Sequence, residues 1–226
     1  MPVGRLRIVP FALETFGRLD YAFNNAGISG DNRLLTNQTE ESFDRVFAVN
    51  VKALFLLLQD EVKQMMAQGQ GGSIVNTASV GGLLAFPTAG PYVASKHAVL
   101  GLTKTAAVEY GRCGIRVNAV SPGAVRTEML LDVFGNQEAL DRMGAVHPLG
   151  RIGRPEEIAD GQNRSSRAKN DTAIVQTDSA RSSHLISAIE IGECARQRSA
   201  SGRFCAVFVG VRFACRTSET CFIRRP

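Results

Sequence analysis

The sequence predicts an α/β fold built on a parallel sheet over residues 1–160. Short apolar runs in this part end in clusters of turn residues, as strands do when they run into loops. Between these runs lie two long stretches that are predicted to be helices, the first from apolar positions that repeat at helical spacing and the second from its end residues. Strands joined by long helices pair in parallel, because the crossover helix returns the chain to the same end of the sheet.

The first strand and the first long helix are predicted within residues 19–68. Residues 19–24 are an apolar run that ends in the turn cluster 24–27, Asn-Asn-Ala-Gly. Thr39 precedes two glutamates and is therefore the predicted N-cap of a helix. Apolar residues then recur at helical spacing until a glycine cluster ends the helix near residue 68.

Two more strands and a second long helix complete the predicted sheet. Residues 73–79 and 115–121 have the apolar composition of buried strands. A helix fits residues 91–111, with proline near its start and glycine at its end. Residues 126–150 are predicted to be a loop-like segment over a site. A last helix begins at Pro155 and stops after a few residues.

Charge divides the chain near residue 160. Residues 1–160 carry 15 Lys and Arg against 16 Asp and Glu, whereas residues 161–226 carry 11 against 5. The formal net charge of +5 therefore comes from the C-terminal part, and we expect a domain over 1–160 followed by a basic Arg/Ser/Cys-rich tail. Four cysteines lie in this tail: Cys194, Cys205, Cys215 and Cys221. They lack the close pairing of a zinc site, so no metal site is predicted.

Composition also argues against several classes of function. The longest apolar run, residues 53–58, is far shorter than the roughly 18 residues of a membrane span. The first residues do not resemble a secretory leader, so we expect a cytoplasmic protein with no membrane partner. The tail arginines lack interleaved aromatic residues, which favours a solvated basic tail over a specific nucleic-acid site. The run 206–213 has the composition of a strand, but one such run is common by chance.

Ser79, Tyr92 and Lys96 form the candidate catalytic group. Tyr92 and Lys96 are four residues apart, so on a helix their side chains face the same way. A free phenol has a pKa of about 10, and a nearby ammonium is predicted to lower it toward the working range of a proton donor or acceptor. Ser79, just past a strand, is placed to hold a carbonyl oxygen. Asn50 is polar in an otherwise apolar helical stretch, which indicates either a function or a buried backbone partner.

These motifs together resemble the short-chain dehydrogenase/reductase family. The resemblance is carried by five features in the family's order: the segment 24–27, Asn50, Ser79, Tyr92-x-x-x-Lys96 and Pro122-Gly123-x-x-x-Thr127. Each motif alone is weak, since Tyr-x-x-x-Lys is usually a surface pair and Asn-Asn-Ala-Gly a turn. Their common order over roughly residues 12–160 implies an incomplete Rossmann-like, doubly wound parallel sheet, with the family's strands 4 to 6 and their helices.

The resemblance implies an NAD(P)-dependent oxidoreductase that interconverts a secondary alcohol and a ketone, small molecules that would be its partners. Tyr92 would exchange a proton with the substrate oxygen as hydride moves to or from the nicotinamide. Lys96 would lower the pKa of Tyr92 and bind the nicotinamide ribose. Ser79 would orient the substrate, and Asn50 would hold a water in a proton relay. The implied cofactor-binding residues are Asn24, Ala26, Gly27, Tyr92, Lys96, Pro122, Gly123 and Thr127. The choice between NAD and NADP stays open.

Two departures from the family limit this expectation. The family's glycine-rich turn, which admits the cofactor pyrophosphate to a helix N-terminus, occurs nowhere in the sequence. The likeness also stops after residue 160, where we interpret the change as a shift of reading frame, with an added basic module as the alternative. We therefore expect an N-terminally truncated chain with weak or no cofactor binding. The alternative function is a catalytically inactive fragment.

The missing strands and the long helices lead to two further expectations. Without the family's first strand, the strand at 19–24 is predicted to be an unpaired edge, which favours aggregation. In the family the two long helices, here residues 40–68 and 91–111, form the subunit interface. We therefore expect a homo-oligomer, or association with intact relatives, through these helices.

Overall fold

The computed structural model describes residues 7–147, 149–160, 174–175 and 206–209. Over these residues the chain has the predicted α/β architecture, with one sheet and helices packed against it. The four tail cysteines and the proposed change of reading frame lie outside the described residues. Within the described part, no helix is long and apolar enough to cross a membrane.

Five parallel strands form the sheet. They are β1 (Tyr21–Asn24), β2 (Gly72–Thr77), β3 (Ile115–Val120), β4 (Ile174–Val175) and β5 (Ala206–Val209). Their order across the sheet is β4-β3-β2-β1-β5, and every neighbouring pair is parallel. The three predicted strands, β1 to β3, are confirmed with small differences at their ends.

The helices cover the connections between the strands. They are α1 (Ile8–Phe16), α2 (Glu40–Phe47), α3 (Ala53–Gln68), α4 (Gly90–Tyr110), α5 (Glu128–Phe134) and α6 (Gln137–Ala145), with a further short helix at 155–160. The predicted cap is present, since Thr39 Oγ1 accepts a hydrogen bond from Ser42 N at 3.2 Å. The predicted continuous helix over 40–68 is interrupted by a π-helical turn, Ala48–Lys52, between α2 and α3. Such turns are frequent at functional sites.

The segment 126–150 is not the loop that the sequence predicts. It contains α5 and α6, and each helix begins at a polar cap: Thr127 accepts from Leu130 N at 3.4 Å, and Asn136 accepts from Ala139 N at 2.9 Å. Both helices are short, so neither contributes a long apolar period to the sequence. Their caps are residue types that also favour turns, which explains the wrong prediction.

The predicted unpaired edge at β1 is also wrong. β5 pairs with β1 along its length, with Tyr21 opposite Ala206 and Asn24 opposite Val209. From the sequence alone, the apolar run at 206–213 could equally have arisen by chance. In the structure it contains a strand of the sheet, β5. At the other edge of the sheet, β4 pairs with β3 through two residues, Ile174 and Val175. The division of the chain into a domain and a tail at residue 160 stays a prediction.

Two apolar clusters cover the faces of the sheet. The larger one joins α1, α3 and α4 to β1, β2 and β3, with Met65, Ile74, Ile115 and Val117 fully buried. The smaller one consists of Phe23, Val75 and Val120, and Ile158 of the short helix at 155–160 packs against it. The sheet is therefore covered on both faces, as a parallel sheet requires. The larger cluster holds α4 against β2 and β3. The N-terminal turns of α4 carry Tyr92 and Lys96.

Candidate active site

The candidate site lies at the carboxyl ends of the central strands, where open parallel sheets bind their ligands. Asn24 is the last residue of β1, and Ser79 follows the end of β2 by two residues. Tyr92 and Lys96 lie in the first turns of α4, which begins at Gly90. The turn after β2 and the start of α4, which follow one another in the sequence, thus bring three of the four predicted catalytic side chains, Ser79, Tyr92 and Lys96, to one edge of the sheet.

Ser79 and Tyr92 lie beside each other at Gly81, since a Cβ atom at Gly81 would lie 3.5 Å from Ser79 Oγ and 3.4 Å from the Tyr92 ring. The Ser79 side chain is buried, and its Oγ accepts a hydrogen bond from Gly81 N at 3.0 Å. This bond comes from the tight turn Val80–Gly82, which fixes the hydroxyl relative to the backbone. The serine is therefore held in a defined position beside the phenol.

Lys96 is buried next to the same phenol. Its Nζ donates to Thr77 O at 2.9 Å and lies 5.6 Å from the centre of the Tyr92 ring. Burial lowers the pKa of Lys96 to about 8, because a charged ammonium is disfavoured in an apolar interior. The ammonium remains the major form at neutral pH, and it has three hydrogen-bond donors.

The predicted direction of the Tyr92 pKa is wrong in this structure. Burial raises the pKa of the phenol above its ordinary value, and the hydrogen bond to Ser79 lowers it only in part. Desolvation therefore outweighs the effect that the sequence assigns to Lys96. At neutral pH the Tyr92 side chain is a neutral phenol, the form that donates a proton.

Asn50 lies in the π-helical turn and is buried. Its Oδ1 accepts from Ile28 N at 2.8 Å, and its Nδ2 donates to Ile28 O and to Ser95 Oγ, both at 2.9 Å. Ser95 Oγ in turn donates to Tyr92 O at 2.7 Å. The side chain thus joins the loop after β1 to the helix that carries Tyr92. These contacts use both hydrogens of Nδ2 and one of the two lone pairs of Oδ1, and the water-holding role of Asn50 stays a prediction.

Asn24 points into the interior rather than along the site edge. It is 6% exposed, and its Nδ2 donates to Glu61 Oε2 and to Asn76 Oδ1, both at 3.0 Å. Through these contacts Asn24 supports the sheet. Its contact with a cofactor stays a prediction. Glu61 is not among the residues that the sequence predicts for the site, although a glutamate inside the apolar stretch of α3 is a usable signal.

Gly27 packs against two residues of the candidate catalytic group, Asn50 and Lys96. A Cβ atom at this position would lie 3.3 Å from Asn50 Oδ1 and 3.4 Å from Lys96 Nζ, so the absence of a side chain lets the backbone pack directly over both groups. Ala26, the residue before it, is half-buried. The loop after β1 therefore packs against Asn50 and Lys96 of the site.

The loop after β3 supplies the remaining predicted residues. Pro122 is buried, and its carbonyl oxygen accepts a hydrogen bond from Val80 N at 2.9 Å, which joins this loop to the turn behind Ser79. Gly123 is half-buried beside it. Thr127 is exposed and caps α5, so its side chain is engaged with that helix.

The described residues suit one end of a nicotinamide dinucleotide. Lys96 Nζ presents donors beside the Tyr92 ring, and the loop that carries Gly27 packs against Asn50 and Lys96. The other end is different, because the sequence contains no glycine-rich turn of the family's type to receive a pyrophosphate. The residues therefore fit the nicotinamide half of the cofactor, and they do not include the usual cradle for its phosphates.

Fold and site together place the protein in the Rossmann-like α/β class. A family model described as "Enoyl-(Acyl carrier protein) reductase" matches residues 6–161. The chain is 44% identical over 176 residues to the A-factor type gamma-butyrolactone 1'-reductase (1S-forming) of Streptomyces virginiae, covering 75% of this chain and 68% of that protein. It is 46% identical over 151 residues to the cyclohexanol dehydrogenase of Acinetobacter sp. (strain SE19), covering 67% of this chain and 58% of that protein.

Solved structures agree with these relatives. The crystal structure of levodione reductase superimposes with a TM-score of 0.71 at 40% identity, over 75% of this chain and 69% of that one. The structure of ElxO with NADP bound has a TM-score of 0.68 at 33% identity, over 75% of this chain and 71% of that one. The chain belongs to the short-chain dehydrogenase/reductase family and is an enzyme by family. It spans 58% to 68% of the length of the two curated relatives.

Proposed function

We propose that this chain is an NAD(P)-dependent oxidoreductase that interconverts a secondary alcohol and a ketone. The observation that carries the proposal is the grouping of three side chains: the Tyr92 ring and Ser79 Oγ both lie beside Gly81, and Lys96 Nζ lies 5.6 Å from the Tyr92 ring centre. A phenol held between a hydroxyl and an ammonium at the ligand-binding edge of a parallel sheet is suited to proton exchange with a substrate oxygen. The relatives named above include a reductase and an alcohol dehydrogenase, which supports the same chemistry.

In the reductive direction, Tyr92 donates its proton to the substrate carbonyl oxygen. The Ser79 hydroxyl binds the same oxygen and stabilises the negative charge that develops on it. Lys96 stabilises the phenolate that remains, because its ammonium lies close to the ring. When bound, the nicotinamide cofactor supplies the hydride for reduction and accepts it in oxidation. Asn50 holds the loop after β1 and helix α4 together, and its proposed relay function serves to return a proton to Tyr92.

The cofactor half that carries the nicotinamide is assigned to residues around this group. Lys96 would donate to the ribose, and Gly27, whose backbone packs against Lys96 Nζ, would lie beside it. The same half would be held by Ala26, Pro122, Gly123 and Thr127. The proposal leaves the choice between NAD and NADP to experiment.

A turnover assay with matched variants tests the proposal. The purified full chain is mixed with NAD or NADP and a panel of cyclic and open-chain secondary alcohols, or with the reduced cofactors and the matching ketones, while nicotinamide absorbance is followed. Turnover should fall by at least about 100-fold in Tyr92→Phe, the usual contribution of general acid–base catalysis. Tyr110→Phe, at the far end of the same helix, is the control and should keep wild-type turnover. Equal rates for Tyr92→Phe and wild type would refute the assigned role.

The second candidate function is an inactive fragment, favoured by the missing glycine-rich turn. Without that cradle, we expect weak or no binding of the cofactor. A calorimetric titration of the full chain with NADH and with NADPH separates the two candidates. Micromolar binding would refute the inactive fragment, whereas no detectable binding together with no turnover would refute the oxidoreductase.

We also propose that the chain associates with copies of itself through its long helices. Phe43 on α2, Phe55 on α3 and Val108 on α4 are large apolar side chains that are exposed in this structure. Contact with a second copy would cover such side chains. Sedimentation of the wild type and of Phe55→Lys tests this, and an unchanged monomer mass in both would refute it.

A further inference from the structure

A buried hydrogen-bond network lies beneath the site and has no part in the proposed proton transfer. Asn24, Glu61, Asn76 and Thr103 are all buried. Asn24 Nδ2 donates to Glu61 Oε2 and to Asn76 Oδ1, both at 3.0 Å, and Asn76 Nδ2 donates to Thr103 Oγ1 at 2.9 Å. Thr103 Oγ1 then donates to Val99 O at 2.7 Å. The network thus connects α3, β1, β2 and α4 across the middle of the sheet.

If Glu61 is charged, one buried acceptor of this network, Asn24 Oδ1, has no hydrogen-bond donor among the described residues. The two hydrogens of Asn24 Nδ2 match its two acceptors, Glu61 and Asn76. Asn24 Oδ1 is buried and accepts no hydrogen bond within the described structure. A carboxylate has no hydrogen to donate, whereas a neutral carboxylic acid has one O–H. Buried acceptors in native proteins are satisfied in the great majority of cases, so a missing donor at this position calls for a physical cause.

We propose that at mildly acidic pH Glu61 is a neutral carboxylic acid that donates its proton to Asn24 Oδ1. The same carboxyl group already accepts from the neighbouring Nδ2 of that amide, so the two planar groups would then be joined by two hydrogen bonds. This pairing satisfies the orphaned oxygen and leaves the contact between Asn24 and Asn76 in place. It assigns a defined protonation state to an acidic side chain that is 1% exposed.

The surroundings of Glu61 favour the neutral form. Burial is the largest cause that raises the pKa of Glu61 to about 7, the hydrogen bond from Asn24 opposes it, and Asp60 on the same helix raises it further. The strands and helix that complete the network contribute neutral groups, namely the amides of Asn24 and Asn76 and the hydroxyl of Thr103. On α4 the Lys96 ammonium donates to a backbone carbonyl, Thr77 O.

The pairing makes Glu61 a positioning residue for the site. Asn24 begins the loop 24–27, and Gly27 of that loop packs against Asn50 Oδ1 and Lys96 Nζ. Hydrogen bonds to both Nδ2 and Oδ1 of Asn24 therefore hold the start of the loop that packs against Asn50 and Lys96. That this loop contacts the cofactor rests on the proposed function, whereas the protonation of Glu61 does not.

Infrared difference spectroscopy of the full chain tests the protonation state directly. At pH 6 the C=O stretch of a protonated carboxyl group should be present in the wild type and absent from Glu61→Gln. Its disappearance with rising pH should have a midpoint near 7. Glu41→Gln, an exposed glutamate on α2, is the control and should keep the band. A band that Glu61→Gln retains, or the absence of any such band at pH 6, would overturn the proposal.

A pair of substitutions then tests the positioning role. Glutamine reproduces the neutral acid, because its amide both donates and accepts, whereas leucine removes both bonds. Near-ultraviolet circular dichroism and amide hydrogen exchange of residues 24–28 should match the wild type in Glu61→Gln at pH 6. Exchange should accelerate at least tenfold in Glu61→Leu. Equal protection in the two variants would show that the pairing does not fix the loop. Neither readout depends on turnover, so an inactive chain would leave this result interpretable.

Discussion

Replacing Glu61 with glutamine should remove most of one pH-dependent contribution to the stability of the fold. The folded-state pKa of Glu61 is about 7, above the ordinary value of 4.5 that applies to the unfolded chain. Between these values the folded protein holds a proton that the unfolded chain has lost. The free energy of unfolding therefore decreases as the pH rises from about 4.5, and the loss is complete above the folded-state pKa.

The size of this effect follows from the gap between the two pKa values. A gap from 4.5 to about 7 corresponds to about 3 kcal/mol of unfolding free energy, taken as an order of magnitude. Glutamine keeps the shape and the hydrogen bonds of the neutral acid and does not titrate. Glu61→Gln and the wild type should therefore be close in stability near pH 4.5. At pH 8 the variant should be the more stable by up to about 3 kcal/mol, a large fraction of a typical domain stability.

Urea unfolding at pH 5, 6, 7 and 8, followed by circular dichroism, measures this difference. Glu41→Gln is the control because it removes the same charge from an exposed position, so it should leave the pH dependence almost unchanged. The decisive quantity is the change with pH of the stability difference between Glu61→Gln and the wild type. If that difference stays constant from pH 5 to pH 8, the folded-state pKa of Glu61 is not raised and the reasoning is refuted.

Three further predictions concern packing, capping and proton transfer. Gly82→Ala should destabilise the fold by about 1 to 3 kcal/mol in urea unfolding, because its Cβ would lie 2.7 Å from Lys96 O. Gly101→Ala, a helical glycine with open space around it, should instead stabilise by ~0.5–1 kcal/mol, and the same sign for both would contradict this. Thr39→Ala should cost about 1 kcal/mol by removing the cap of α2, and no measurable loss would count against that cap. Alcohol oxidation should accelerate as the pH rises above 7, since burial raises the pKa of Tyr92 and only the phenolate accepts a proton; a flat pH–rate profile is the contrary result.

Features that depend on neighbouring residues in the sequence were predictable. The end residues of α4, proline near its start and glycine after its end, predict the helix, and its geometry then places Tyr92 and Lys96 on one side. The apolar runs that end at a turn predict β1 to β3, so Ser79 was expected at the carboxyl edge of the sheet. The N-cap at Thr39 is likewise a local signal, and the structure confirms it.

Features that depend on distant contacts were not predictable from the sequence. Asn24 and Glu61 are 37 residues apart, so nothing in the local pattern indicates that they meet. The pairing of β5 with β1 brings together residues 21–24 and 206–209, and it overturns the expected unpaired edge. The pKa of Tyr92 also depends on burial, which outweighs the nearby ammonium that the sequence does reveal.

The proton-transfer group is held by contacts separate from those that a pyrophosphate would need. Lys96 is held by Thr77 O and Ser79 by Gly81 N, and the Tyr92 ring lies beside Gly81, so all three side chains are placed by β2, the following turn and α4. Loss of cofactor binding would therefore leave this geometry intact. The sequence has only three tyrosines, so an ultraviolet titration of wild type against Tyr92→Phe resolves the Tyr92 phenol. A phenol titrating above its ordinary value in a chain that binds no cofactor would show that the catalytic geometry and the cofactor cradle are independent parts of the fold.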